Sequence, residues 1–218
     1  MQRNPRFVAV LALLAAASRP ALGDTETFTF DKAHSLVGFR IRHFVSKVEG
    51  RFKDFDGTIW IDRANPSASK VELIQAASID TANENRDKDL RSDNFFDTAK
   101  YPTITFKSTK IEPKGKDAYE VTGEFTLHGV TRTITVPVKH GGFLKIKGRT
   151  GMTEKTGFEI NFPFSRKDFG IVWNRPLDTG GFMLSDEVDI NVQVEANKQM
   201  PEEAKPPTPV AVPTPAKG

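Results

Sequence analysis

Val37-Gly38-Phe39-Arg40-Ile41-Arg42-His43, within the run SLVGFRIRHF (35–44), alternates apolar and polar residues without a break. Successive side chains of a strand point to opposite faces. Val37, Phe39 and Ile41 therefore share one face with His43, and Gly38, Arg40 and Arg42 share the other. This is a strand with one dry face and one wet face. Outward from it, the same period recurs. ETFTF (26–30) is a short strand. GRFKDFDGTIWID (50–62) holds Phe52 on one register and Phe55, Gly57, Ile59 and Ile61 on the next. That slip of one residue near Asp54 predicts a β-bulge. Strands are also expected at 69–80, 101–111, 118–129, 130–140, 156–165 and 186–196. The segments 118–129 and 130–140 meet at LHGVT, where Gly129 suits a hairpin turn.

The pattern is interrupted once. Thr81-Ala82-Asn83-Glu84 has the spacing of a capping box with Thr81 as the cap. ENRDKDLRSDNFF then predicts a short charged helix over about residues 84–96. Its Leu90, Phe95 and Phe96 either plug a core or form a lid over a cavity. Eight or nine strands, one helix and no βαβ rhythm imply an antiparallel, all-β fold. Long strands joined in sequence by short turns suit an eight-stranded antiparallel barrel. Closure removes exposed edges, and the interior holds packed side chains or one small ligand. An outer-membrane barrel fits poorly. One face carries Arg40 and Arg42, and two Trp with two Tyr are too few for aromatic girdles.

The chain ends read differently. MQRNPR is a basic start, FVAVLALLAAAS is an apolar run, and Ala21-Leu22-Gly23 offers small residues for cleavage. Residues 1–23 are expected to be a signal peptide cut near Gly23–Asp24. The run is short of the ~20 apolar residues of a spanning helix, so no membrane span is expected after cleavage. Residues 199–218 hold six prolines and read as a solvated, polyproline-like tail. The folded domain is then 24–198. The leader holds three of the 31 basic residues and none of the 28 acidic ones, so the remainder is balanced and no basic field points to nucleic acid.

The chemistry is sparse. With no cysteine, zinc–thiolate sites, iron–sulfur clusters and thiol nucleophiles are excluded. His34, His43, His128 and His140 lack the spacing of a zinc enzyme, and no metal or cofactor is expected. His128 and His140 flank turns and read as exposed. No Gly-x-Ser-x-Gly elbow and no phosphate loop occurs. Phe makes up 17 of the aromatic residues, against two Trp and two Tyr. Faces of Phe, Ile and Val form either a dense core or the wall of an apolar pocket, and composition does not separate the two.

The segments FDKAHSLVGFRIRH, VEGRFKDFDGTI, NRDKDLRSDNFFD, YPTITFKST, VTGEFTLHGVTRTITVPV, SRKDFGIVWN and DEVDINVQVE, in that order, cover nearly all of residues 26–195. In them the chain resembles the YceI-like family of lipocalin-type, polyisoprenoid-binding proteins. The resemblance implies an exported periplasmic protein and a barrel with an apolar interior. It implies an amphiphilic ligand with an isoprenoid chain, such as a polyprenyl phosphate or a quinone, and no catalysis. Asp89 stands where the family often carries histidine. On this reading the wall is assigned to Val37, Phe39, Ile41, Phe52, Ile59, Phe106, Phe125, Phe158, Ile160, Phe162 and Phe169, and the ligand head to His43, Arg166 or Trp173. Two other readings are an envelope interaction protein with a filled barrel and an enzyme using His43 as base. Closed barrels can also pair through their outer faces, so a homodimer is compatible with the pattern.

Overall fold

The computed structural model describes residues 25–76, 78–148 and 151–199. The expected signal peptide lies outside the described residues, as does the Pro-rich tail beyond Gln199. Among the described residues eleven strands are formed: β1 (Glu26–Phe30), β2 (Leu36–His43), β3 (Ser46–Phe52), β4 (Phe55–Ile61), β5 (Lys70–Ala76), β6 (Ile79–Asp80), β7 (Thr103–Gly115), β8 (Ala118–Leu127), β9 (Val130–Gly148), β10 (Gly151–Ser165) and β11 (Leu184–Lys198). The one α-helix among the described residues is α1 (Glu84–Arg91).

The eleven segments occupy eight positions in a wall. β1 and β2 pair with the same edge of β11, β1 at Ala196–Lys198 and β2 at Leu184–Gln193. They are two halves of one long strand, divided by the 3-10 turn Lys32–His34. β3 and β4 are likewise halves that pair with β2 and β1. β5 continues the wall beside β4, and β6 does so beside β3. Antiparallel pairing runs β1-β4-β5-β7-β8-β9-β10-β11 and returns to β1. The expected eight-stranded antiparallel barrel is therefore formed. Its wall has one seam: among the described residues β6 pairs with β3 and not with β7. Residues 81–102, which include α1, cross that seam.

Alternation explains why these residues build this wall. Tyr119, Val138, Ile160, Val192 and Val37 stand directly opposite one another on five neighbouring strands and form one apolar hoop. The next parity faces water. Arg40 stands opposite Asp189 and Glu49, and Asn191 donates to Asn161 at 2.6 Å. Exposed pairs of this kind contribute little, about 0–1 kcal/mol each, so the inner rows carry the stability.

Three expectations are corrected. The slip near Asp54 is a break in the strand. Lys53 N–H donates to Ser78 O and Asp54 N–H to Ser78 Oγ, so two neighbouring strands kink together. The helix ends at Arg91 rather than near residue 96. Ser92 turns extended, and its N–H closes on Asp89 O. The cap is Asn83, whose side chain accepts from Arg86 N–H. Thr81 is instead buried and hydrogen-bonded to Asp87, because Ala82 adopts a left-handed φ of 57° between them.

Candidate functional site: the barrel interior

The inner rows enclose a cavity of about 610 Å³, within the size range of small-molecule sites. Its wall includes Val37, Phe39, Ile41 and His43 of β2, Phe52 of β3 and Ile59 of β4. Phe106 of β7, Phe125 of β8, and Phe158, Ile160 and Phe162 of β10 continue it. Arg166 and Trp173 line it from the segment that joins β10 to β11. Phe169 does not line the cavity. It is 2 % exposed, with its ring 5.2 Å from Phe125 and 5.5 Å from Phe164. The 3-10 turn Arg166–Phe169, closed by Gly170 at φ 78°, tucks it into a neighbouring apolar cluster.

The cavity also takes residues not assigned to it from sequence, several of them from outside the assigned rows. Leu90, Phe95 and Phe96 reach in from α1 and the turns after it, and Tyr119, His140 and Phe143 from β8 and β9. Arg63 follows β4. The reading of His140 as exposed is corrected. Its ring is half-buried and stacks on Phe158 at 5.1 Å and 21°. The signal was present in the sequence, since His140 has the parity of Ile134, Val136 and Val138. His128 is also partly buried, its Nδ1 lying 3.1 Å from Phe169 O and its ring 4.7 Å from Tyr101.

The polar groups of the wall are mostly engaged. His140 Nε2 lies 2.8 Å from Thr156 Oγ1, which donates to Gly142 O at 3.0 Å. The hydroxyl has one proton, already given to Gly142, so Nε2 is the donor in this pair. Burial pushes the His140 pKa below its ordinary value, with Arg63 adding to the effect and Asp117 opposing it. Arg63 bridges Glu26 and Glu154 and lies 3.8 Å above the Phe143 ring. Burial raises the Glu154 pKa, but Arg63 and Lys198 outweigh it and hold the carboxyl below its usual range. At the α1 end, Arg86 Nε and Nη2 donate to Thr81 Oγ1 and O, each at 2.7 Å. Arg166, 3 % exposed, donates to Ser185 O at 2.9 Å and to Ile171 O and Trp173 O at 2.8 Å. It positions the loop from which Trp173 reaches the wall.

One group outside the cavity has the composition of a cation site. Ligand atoms of Asp31, His34 and Glu195 lie within 4.8 Å of one another. The Lys155 ammonium already sits among them, 3.0 Å from Asp31 Oδ2 and 2.5 Å from Glu195 Oε1. A lysine thus supplies the positive charge that the two carboxylates need.

An eight-stranded antiparallel barrel around an apolar cavity defines a lipocalin-like barrel. Within that class, the chain belongs to the YceI-like family: the YceI-like domain model matches residues 28–196. It is similar to Protein YceI of Escherichia coli O17:K52:H18, 42% identical over 169 residues, which covers 76% of this chain and 83% of that one. Among solved structures it is similar to Burkholderia cenocepacia BcnA, with a TM-score of 0.66, 28% identity and coverage of 76% of this chain and 98% of that chain. A polyisoprenoid binding domain from Saccharophagus degradans shares the fold at a TM-score of 0.57 and 16% identity, with 79% of this chain and 98% of that chain covered. No helix among the described residues is long and apolar enough to cross a membrane.

Proposed function

We propose that the protein is a non-catalytic carrier or sequestering protein that holds an isoprenoid amphiphile inside its barrel, in the periplasm after export through the N-terminal leader. The observation that carries this reading is the cavity of about 610 Å³ walled by Phe, Ile, Leu and Val. Membership of the YceI-like family supports it, as does the shared fold with a domain described as polyisoprenoid-binding. The physics is simple. Each buried CH₂ contributes ~0.8 kcal/mol, so a chain of five-carbon units gains affinity from length alone. A cavity favours this reading over a barrel filled by its own side chains.

The test is native mass spectrometry of mature protein purified without detergent, followed by titration with prenyl lipids. A bound mass that delipidation removes and prenyl lipid restores is the expected result. A clean apo mass with no uptake on titration would end the proposal. The leader is tested separately, by locating the processed protein after cell fractionation.

A further inference from the structure

We infer that the head group of the bound amphiphile is uncharged, a quinone carbonyl or a prenyl hydroxyl rather than a phosphate. The inference rests on the reading of the barrel as an isoprenoid holder and concerns which member of that class the wall accepts. A phosphate carried into a partly enclosed apolar site needs an uncommitted cation or a concave set of free N–H groups. Backbone N–H groups in a barrel wall are largely consumed by the ladders. The question is then whether the wall holds a spare cation.

It holds three guanidinium groups and, among the described residues, no lysine. Each guanidinium is in use. Arg63 is held between two carboxylates, Glu26 and Glu154. Arg86 gives Nε and Nη2 to Thr81, whose hydroxyl in turn bonds the buried Asp87 carboxylate. Arg166 serves three carbonyls and lies 3.5 Å from Asp186. A phosphate that took over any of these N–H groups would leave its carbonyl, hydroxyl or carboxylate partner without that donor.

Asp62, Asp89 and Asp117 also line the cavity, and none of the three has an ion-pair partner among the described residues; Asp89 is the one on α1. Its carboxylate accepts from the neutral Asn94 at 3.3 Å, while the Ser92 hydroxyl gives its one proton to Asp89 O at 2.7 Å. An anionic head at the α1 end meets this charge without a counterion. An uncharged acceptor fares better there. The Trp173 indole N–H and the His43 ring make no hydrogen bond among the described residues, and both line the cavity. Leu184 links the two segments, since His43 stands opposite it and Asn174, next to Trp173, donates to Leu184 O at 2.8 Å.

The experiment compares one chain length with two heads. Mature protein is titrated with geranylgeraniol and with geranylgeranyl monophosphate, by calorimetry and by tryptophan fluorescence. The alcohol is expected to bind at least about tenfold more tightly, a difference of about 1.4 kcal/mol. Asp89→Asn is expected to narrow that ratio about two- to fivefold, the effect of removing one partly screened charge. Phosphate bound as tightly as the alcohol, or more tightly, overturns the inference while leaving the isoprenoid function standing. A ratio unmoved by Asp89→Asn overturns the part given to that carboxylate. Uptake of neither ligand removes the function itself, and the inference with it.

Discussion

The Thr156 hydroxyl shows how a single side chain sets the state of another. Its proton goes to Gly142 O, which fixes His140 Nε2 as a donor toward it. With burial lowering the His140 pKa, the folded barrel binds fewer protons there than the unfolded chain does once the pH falls below 6.5. Stability is therefore full above that range and declines as the pH drops through it. Asp31 acts lower on the scale. Burial pushes its pKa up, but hydrogen bonds from Lys155, His34 and Asn197 prevail and lower it to about 2 from 3.8. Its contribution is present above 3.8 and is lost between there and 2. Thermal midpoints measured against pH should show both declines, with His140→Phe flattening the first and Asp31→Asn the second. Arg166 calls for a different measurement. Arg166→Met strips three carbonyls of their donor, and urea unfolding should register a loss of at least about 2 kcal/mol. The inward row Val37–Phe39–Ile41 was legible because its period is local. The task of Arg166 was not, because its acceptors are loop carbonyls that no periodicity records.

Elements show where the pattern of the sequence runs out. The β8–β9 turn was readable: His128 and Gly129 both take positive φ, 52° and 72°, at the hairpin position that the glycine marked. The β2–β3 turn was not. Phe44 and Val45 occupy it, with Phe44 at φ 49°, and neither residue type favours such a turn. Phe44→Gly relieves that backbone and is expected to gain about 0.5–1 kcal/mol, or a rise of ~1–4 °C in thermal midpoint. Gly123 shows the opposite constraint. A Cβ there would lie 2.5 Å from Lys107 O and 2.6 Å from the Phe106 ring. Gly123→Ala should cost about 1–3 kcal/mol through displaced backbone, read as a lowered denaturation midpoint. The extension of β9 past His140 was missed because Gly141, Gly142 and the adjacent Phe143 and Leu144 interrupt the alternation, although the strand pairs with β10 as far as Gly148. The helix was placed but overrun, since the turns that follow it carry the same charged composition.

At the scale of the molecule, the barrel was legible and its cavity was not. Long alternating strands in sequence order permit few topologies, and the eight positions of the wall follow. Whether Phe-rich inner rows meet across the centre depends on the ring diameter and on which side chains turn aside. Phe169, read as wall, turned aside. Filling the interior tests what its emptiness is for. Val136 is 4 % exposed and lines the cavity. Val136→Trp should keep the β-type circular dichroism spectrum while abolishing the lipid mass in native spectra.

The seam between β6 and β7 gives the barrel two kinds of wall with different opening costs. Parting a ladder means breaking several backbone hydrogen bonds at once, whereas lifting residues 81–102 breaks mainly side-chain contacts such as Phe96 on Phe52 and Phe95 on Trp173. The residence time of anything held inside is then governed by the weakest panel, not by the depth of the interior. Affinity and exchange rate become separable quantities, one written in the hoops of the wall and the other in a short patch of sequence around two phenylalanines.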